Sequence, residues 1–178
     1  MIVETPRLIL RRWKAEDRPA YAALTSDPEV MRWLGGVMPR EESDAHIDRM
    51  EARWERLGYD RCVIERKADG LFLGFAGLAP AFDGLPIAPS QEMGWRLVRE
   101  AWGQGYASEA AQAAVWDSFQ RMRFQEIVAY TAQGNLRSQG VMGRAGFTRD
   151  PARDFDHPGV DTSDPLNRVI VYSQLSPS

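Results

Sequence analysis

The sequence predicts a single domain of the α/β (α+β) class, in which a mixed β-sheet of six to seven strands carries helices on both faces. The 178 residues are the length of one ordinary domain, and no linker or internal repeat divides residues 1–178. In the first half of the chain, predicted strands follow one another as hairpins. In the second half, strands and helices alternate, which favours parallel crossovers. The two patterns together predict the mixed sheet.

Alternation of apolar and polar residues identifies the strands. They are predicted at residues 7–13, 61–67, 71–79, 91–98, 126–131 and 168–175. A seventh, short strand is expected within residues 147–166, which otherwise have the composition of a loop. Ala68, Asp69 and Gly70 separate the second strand from the third, and an Asp-Gly pair between two apolar runs is a strong hairpin signal.

Capping residues and apolar spacing identify the helices. They are predicted at residues 14–25, 28–36, 40–57, 106–122 and 135–146. Gly58 and Gly146 are typical helix stops. In the third helix Ile47, Met50 and Trp54 share one stripe, which we interpret as core rather than as a binding groove.

The composition excludes several classes of function. Hydrophobic residues make up 44% of the chain and charged residues 26%, as in ordinary globular domains. The net charge of −3 argues against a nucleic-acid partner. No apolar run reaches the roughly 18 residues of a membrane span, and the first residues lack the pattern of a signal peptide. We therefore expect a cytoplasmic protein with no membrane partner.

The cysteine and histidine content argues against a metal site. Cys62 is the single cysteine, and His46 and His157 are the only histidines. This excludes an internal disulfide, a thiolate cluster and a His-rich metal site. Cys62 lies in an alternating run, so we interpret it as a buried strand thiol rather than a nucleophile. His157 stands in a loop between acidic residues and prolines, and we interpret it as an exposed turn residue rather than a base.

A glycine-rich turn is the most informative segment. Gly103 and Gly105 lie between a strand that ends near Leu97 and a helix that begins near Tyr106. Two glycines let the backbone approach a ligand, and the free amides at a helix start suit a pyrophosphate. Ser108 can add a hydroxyl donor. The spacing lacks the lysine of a P-loop and the third glycine of a dinucleotide fingerprint, and a tight turn without a ligand is the alternative.

Motifs along almost the whole chain carry a family resemblance. Residues 99–110, REAWGQGYASEA, resemble an acyl-CoA pyrophosphate loop of the pattern Q/R-x-x-G-x-G/A, with Trp102 in place of the usual Gln or Arg. The flanking motifs are ETPRLILRRW, SDPEVMRWL, LGFAGL followed by EMGWRL, NLRSQGVMGRAGF, and DFDHP followed by RVIVY. In this order they resemble the GNAT N-acetyltransferase superfamily, and within it the branch of ribosomal-protein N-terminal acetyltransferases.

The resemblance implies acetyl-CoA as co-substrate, no metal, and a sheet whose two central parallel strands splay apart. In that superfamily the gap admits the pantetheine arm, so by position Trp95, Arg96 and Leu97 are its backbone partners. Trp95 as a plain core aromatic is the alternative. The resemblance also assigns cofactor binding to Trp102, Gly103, Gln104, Gly105, Tyr106, Ala107, Ser108 and Asn135.

Acyl transfer to an amine needs a group that accepts the amine proton. Glu92 lies on the strand before the glycine turn, where the superfamily often places a carboxylate, and the resemblance implies that it is the catalytic base. An ordinary carboxylate with a pKa of ~4.3 is a poor base for an amine, so burial or a relaying water is needed. The alternative is a salt bridge at the strand end, with Arg96 on the same strand face.

The CoA sulfur, which departs during acyl transfer, needs a hydrogen-bond donor. Met142 occupies the place where many superfamily members have a tyrosine for this purpose. Ser138 lies one turn earlier on the same helix face, and the resemblance implies that its hydroxyl donates to the sulfur as a catalytic residue. A serine bonded to its own i−4 carbonyl is the alternative. Asn135 begins this helix and is expected to be its N-cap, with a cofactor contact in addition.

The acceptor stays open at this point. The resemblance implies a primary amine, either a small molecule or a protein N-terminus, that attacks directly in a ternary complex. Candidates to line its pocket or attract its charge are Trp33, Trp54, Phe82, Asp154 and Asp156. Competing functions are a non-catalytic acyl-CoA-binding sensor or partner protein and a nucleotide-binding regulator. Six tryptophans in a small domain raise the expectation of a homodimer.

Overall fold

The computed structural model describes residues 3–177 and contains one mixed sheet with helices on both faces. The strands within this range are β1 (Val3–Glu4), β2 (Leu8–Arg11), β3 (Arg61–Arg66), β4 (Phe72–Pro80), β5 (Gln91–Leu97), β6 (Glu126–Ala132), β7 (Thr148–Arg149), β8 (Phe155–Asp156) and β9 (Arg168–Leu175). Their order is β1-β2-β3-β4-β5-β6-β9-β7, and β8 pairs with β9 as well. The predicted fold class is confirmed. The sheet is larger than expected because β1, β7 and β8 have two residues each, too few to show alternation.

The helices are α1 (Arg18–Thr25), α2 (Pro28–Met31), α3 (Arg40–Leu57), α4 (Tyr106–Asp117) and α5 (Leu136–Ala145). The second predicted helix is too long, because the chain leaves the helix after Met31 and turns through Gly35 and Gly36, both with positive φ. The fourth ends at Asp117 and continues as one π turn, Ser118–Met122. No helix in the described part of the chain is long and apolar enough to cross a membrane.

The strand directions follow the sequence-based expectation in all but one place. Neighbouring strands from β2 to β5 pair antiparallel, and β6 lies parallel to β5. Helices α1 to α3 connect β2 to β3, so this pair is not the expected hairpin. The second expected parallel crossover is wrong, because β9 runs antiparallel to β6. The segment after α5 forms β7 and β8 first and then turns back, so β9 enters the sheet in the opposite direction.

Core side chains cover both faces of the sheet. On one face α4 packs through Ala110 and Ala114 against the central strands, and on the other α1 and α3 pack against β3 and β4. The α3 stripe Ile47, Met50 and Trp54 is buried, which confirms that it is core. Full burial of one such side chain contributes about 1.5–3 kcal/mol.

Two further expectations concern single residue types. Cys62 is buried in β3, and burial raises the pKa of its thiol to about 12, which confirms the interpretation as a strand thiol. Among the six tryptophans, all within the described range, Trp116 is the one that is largely exposed, while Trp13 and Trp54 are buried. Because the other tryptophans are at least partly buried, exposed tryptophans give little support for a homodimer, which stays a prediction.

Candidate functional site

The two adjacent parallel strands β5 and β6 form a fork. They pair at a single position, between Glu92 and Val128, whereas β5 pairs with β4 over its whole length. Each strand leads to the N-terminus of a helix, β5 to α4 through the glycine turn and β6 to α5. Beyond Glu92 the facing edges of the two strands are therefore free to bind the backbone-like amides of an extended ligand.

Glu92 lies at the narrow end of this fork, and both of its carboxylate oxygens accept hydrogen bonds. Arg61 Nη2 donates to Oε1 at 2.6 Å, and the Tyr130 hydroxyl donates to Oε2 at 3.0 Å. The side chains of Arg61 and Glu92 are each 15% exposed, so the ion pair is largely shielded from solvent. Burial and then the Glu92 carboxylate raise the pKa of Tyr130, which keeps its hydroxyl protonated as a donor.

The alternative interpretation of Glu92 as a salt-bridge residue is confirmed, but the partner is Arg61 and not Arg96. Arg61, Gly77 and Gly94 lie opposite one another on β3, β4 and β5. The Arg61 guanidinium crosses this row to reach Glu92. Neither Arg61 nor Tyr130 was predicted as a partner of Glu92. The signal in the sequence for such a contact is an isolated glycine within a strand, which indicates the close approach of another group.

The glycine turn has the expected backbone. Gly103 and Gly105 have φ values of 74° and 81°, which other residues rarely adopt. Gly105 is the N-cap of α4, so no side chain caps the first amides of the helix. A Cβ on Gly103 would have no neighbour within 4 Å, and one on Gly105 would meet Arg7 Nη2 alone, at 3.4 Å. The turn is thus open on its outer side.

The connection between β1 and β2 braces the glycine turn. Arg7 Nη1 donates to the Gln104 carbonyl at 2.9 Å, and the Arg7 guanidinium lies 4.5 Å above the Tyr106 ring. Glu109 accepts from Arg7 Nε and from the Thr5 hydroxyl, both at 2.6 Å. These contacts hold the first turn of α4 against the edge of the sheet.

Two predicted cofactor-binding side chains are engaged within the protein. Trp102 Nε1 donates to the Leu97 carbonyl at 2.9 Å, and the Arg137 guanidinium lies 4.6 Å from the centre of the Trp102 ring system. The Ser108 hydroxyl is buried and accepts a 3.0 Å hydrogen bond from Arg144 Nε. This places the Ser108 hydroxyl against α5, and the amides remain the donors at the turn.

The start of α5 lies at the other branch of the fork. Asn135 Oδ1 accepts from the Ser138 amide at 3.3 Å, which confirms the N-cap. Over residues 3–177 the Ser138 hydroxyl has no protein hydrogen-bond partner, so the i−4 bond considered as the alternative is not formed. Met142 is 1% exposed and belongs to the core.

The three aromatic candidates for the acceptor pocket lie in different parts of the structure. Trp54 is buried in the core, so its expected place in the pocket is wrong. Phe82 is 73% exposed in the loop after β4. Trp33 reaches from the segment after α2 to the end of β6, where a Cβ on Gly134 would lie 2.6 Å from its Cη2 atom. Of the three, Trp33 is the one beside the fork.

The acidic candidates are already paired. Asp154 accepts from Arg149 Nη1 at 2.7 Å and from the Val171 amide at 2.9 Å, and Asp156 pairs with Arg168 at 3.1 Å. Both carboxylates therefore already have a cationic partner, and the expectation that either attracts a cationic amine stays a prediction. His157 Nδ1 accepts a hydrogen bond from an amide of its own turn, which agrees with its interpretation as a turn residue.

Comparisons with known proteins identify the family. A family model described as acetyltransferase (GNAT) domain matches residues 7–148. The chain is 31% identical over 157 residues to the FsC-acetyl coenzyme A-N(2)-transacetylase of Aspergillus fumigatus, covering 82% of this chain and 64% of that protein. It is 30% identical over 152 residues to YnaD of Bacillus subtilis, described as an uncharacterized N-acetyltransferase, with 84% of each chain covered.

The fold comparison agrees with the sequence comparisons. An acetyltransferase of the GNAT family from Bacillus anthracis superimposes with a TM-score of 0.81, at 24% identity and with 99% of each chain covered. At this identity the likeness shows the fold alone. The family model spans the strands of the fork, the glycine turn and α5. The chain belongs to the GNAT acetyltransferase family and is an N-acetyltransferase.

Proposed function

We propose that this enzyme transfers the acetyl group of acetyl-CoA to a primary amine by direct attack in a ternary complex. The observation that carries the proposal is the fork, in which parallel strands pair only at Glu92 and Val128 and then lead to two helix N-termini. The open glycine turn and the uncapped amides of α4 fit a pyrophosphate. The free strand edges fit the amides of a pantetheine arm.

Backbone groups supply most of the proposed cofactor contacts. Amides of residues 103–108 would hold the pyrophosphate, and the backbone of residues 95–97 would hold the pantetheine arm. Asn135 lies at the opposite branch, at the start of α5. Backbone contacts do not depend on side-chain identity, which explains how Trp102 and Ser108 can be engaged inside the protein without loss of the site.

Glu92 is the proposed proton acceptor. Arg61 donates to one carboxylate oxygen and Tyr130 donates to the other, so each oxygen has one acceptor position occupied. Each carboxylate oxygen has a second lone pair, so Glu92 can still take the amine proton directly or through one water. The Arg61 guanidinium supplies a counter-charge, and the Tyr130 hydroxyl holds the carboxylate toward the fork.

Ser138 is the proposed donor to the departing sulfur. Its hydroxyl has no protein partner among the described residues, and it lies in the first turn of α5. The positive end of the helix dipole favours negative charge at this place. A thiolate with a pKa near ~8.5 needs a hydrogen-bond donor rather than a strong acid, and a hydroxyl is sufficient for that purpose.

The test is thiol release from acetyl-CoA with a panel of primary amines, with the acetylated product identified by mass spectrometry. We expect amine-dependent thiol release and a loss of turnover in Glu92→Gln. Binding of CoA without turnover of any amine would support the acyl-CoA-binding alternative. Thermal stabilisation by ATP but not by CoA would support the nucleotide-binding alternative.

A further inference from the structure

An arginine on the β5 face opposite α4 forms an unusual cluster with two ring residues. This face carries Glu92, Gly94 and Arg96, and we call it the acceptor face. Arg96 Nη1 donates to the Tyr21 hydroxyl at 3.3 Å, and the Arg96 guanidinium lies 5.4 Å from the centre of the Phe75 ring. The cluster extends to α3 through a 2.6 Å contact between the Tyr21 hydroxyl and His46 Nδ1.

The hydrogen-bond directions in this cluster follow from Arg96. Because Arg96 has N–H donors alone, Tyr21 must accept from it, and the Tyr21 hydrogen is then available to His46 Nδ1. Burial, followed by the charges of nearby arginines, lowers the pKa of His46 to about 3. The imidazole is therefore neutral near pH 7 and does not add a charge to the cluster.

Arg96 has no counter-charge in the described part of the chain. Its guanidinium makes no ion pair with any carboxylate of residues 3–177, and its Nε is buried without a hydrogen-bond partner. The nearby Glu92 carboxylate is already paired with Arg61. Burial, and then the positive charge of Arg61, lower the pKa of Arg96. A buried cation is costly unless an anion compensates it, so this position is suited to a charge that arrives with a ligand.

A ligand can reach this cation along the acceptor face. Glu92, Gly94 and Arg96 are each partly exposed, and the Glu92 side chain is 15% exposed. Their neighbours on the opposite face, Met93 and Leu97, are 2% and 4% exposed because α4 covers them. A partly exposed strip thus runs along β5 from the proposed base to the unpaired guanidinium, over about 13 Å of strand, and the Arg61 side chain lies across its middle, over Gly94.

We propose that Arg96 binds an oxyanion of the acceptor, so that the preferred acceptor is a small amino-acid-like molecule with both a primary amine and a carboxylate. This inference rests on the proposed function, which places the amine at the Glu92 end of the strip. The guanidinium presents N–H donors in a planar fork that matches a carboxylate.

The test compares acceptors that differ in the carboxylate. Glycine, 4-aminobutyrate and 6-aminohexanoate, in which the amine and the carboxylate are increasingly far apart, are assayed against their methyl esters, with spermidine as a cationic amine and acetyl-CoA at saturation. For the best amino acid, we expect Arg96→Gln to raise KM at least about tenfold, as for the loss of a charge-assisted hydrogen bond. In the same variant, the KM values for the methyl ester of that amino acid and for acetyl-CoA should stay within about twofold of the wild-type values. Comparing wild type with variant for each acceptor cancels the intrinsic reactivity of the amine.

Two further variants control for charge and folding. Arg56→Gln removes an exposed arginine in the last turn of α3 and changes the net charge equally, so it should leave the acceptor preference unchanged. Arg96→Lys keeps the positive charge and should retain part of the preference. If Arg96→Gln does not fold, as judged by circular dichroism, the same comparison of wild type with variant is made with Arg96→Lys.

A binding measurement separates this inference from the proposed function. N-acetylglycine, a product-like carboxylate, should raise the melting temperature of wild type and not that of Arg96→Gln. Turnover without any change of acid-to-ester preference between the two proteins overturns the oxyanion site and leaves the function intact. Stabilisation of wild type alone, without turnover of any amine, overturns the function and leaves the oxyanion site intact.

Discussion

Arg61 occupies the space that a side chain at residue 94 would take. A Cβ on Gly94 would lie 2.9 Å from Arg61 Nε, closer than real contacts of this kind. Through this space the guanidinium reaches Glu92 at 2.6 Å. A glycine on β5 and an arginine two strands away therefore define the surroundings of the proposed base.

Replacing that glycine should affect turnover more than stability. In Gly94→Ala the new methyl group displaces the flexible end of Arg61, so we expect unfolding free energy within about 1 kcal/mol of wild type. Because Arg61 no longer holds Glu92 in place, kcat should fall about tenfold. Urea unfolding and steady-state kinetics measure the two effects.

Gly143→Ala on α5 is the matched control, since a Cβ there meets nothing within 4 Å. It should keep wild-type kinetics. A Gly94→Ala enzyme with unchanged kcat, although its structure shows a displaced Arg61, would contradict the role given to the Arg61–Glu92 pair.

Cofactor binding at the glycine turn predicts a specific loss in Gly105→Glu. The new side chain fills the proposed phosphate space and adds a like charge, so thermal stabilisation by CoA should disappear. Gly70→Glu is the control, because Gly70 has a similar φ of 71° in the β3–β4 hairpin and nothing near its Cβ. Both variants should lose intrinsic stability, and only the first should lose the CoA-dependent shift. An intact shift in Gly105→Glu would place the cofactor elsewhere.

Ser138→Ala should lower kcat while the affinity for CoA stays constant. A donor to the departing sulfur strengthens as negative charge grows there, and its removal costs about 1.5–3 kcal/mol, or roughly 10- to 150-fold in rate. The hydroxyl has no protein partner among residues 3–177, so the melting temperature should not fall. Single-turnover kinetics and CoA titration separate the two constants.

Ser138→Cys keeps a weak donor and should have a rate between those of wild type and the alanine variant. A chemical step within about twofold of wild type in Ser138→Ala would remove the residue from the mechanism. An equal loss of CoA affinity would reassign it to cofactor binding.

His46 predicts a pH dependence of stability. Its pKa is lowered from 6.5 to about 3 by burial and then by nearby arginines. As the pH falls below about 6.5, the unfolded chain binds a proton that the folded protein does not, so stability is lost toward low pH. His46→Asn keeps an acceptor for Tyr21 but does not titrate. Between about pH 7 and about pH 5.5, wild type should lose about 1 kcal/mol more than the variant in urea unfolding.

Carboxylates with lowered pKa values, such as Asp17 and Glu109, also reduce stability at low pH, but they are common to both proteins and cancel in the difference. Equal pH slopes for wild type and His46→Asn would show that the imidazole is protonated in the folded state. That result would also weaken the directions assigned to the hydrogen bonds between Arg96, Tyr21 and His46.

Local signals account for the parts of the fold that were predicted. α3 begins and ends where its stripe and Gly58 indicate, the hairpin turn lies at residues 67–70, and Asn135 caps α5. Each of these depends on residues within a few positions of one another. The two-residue strands β7 and β8 and the direction of β9 depend on distant pairing, which a local pattern does not contain.

The residues of the glycine turn were identified from the sequence, since a turn before a helix needs particular residues at fixed spacing, and the proposed base was identified from the family resemblance. The partners of these residues were not. Arg61 meets Glu92 only because two glycines stand in register across three strands, and Arg96 turns toward Tyr21 and His46 only because α1 and α3 pack on that face. Backbone conformation is set by neighbours in the chain, whereas the charge that faces a side chain is set by strand register and helix packing. The tertiary structure alone therefore decided that an unpaired cation, Arg96, lies beside the proposed site of acetyl transfer.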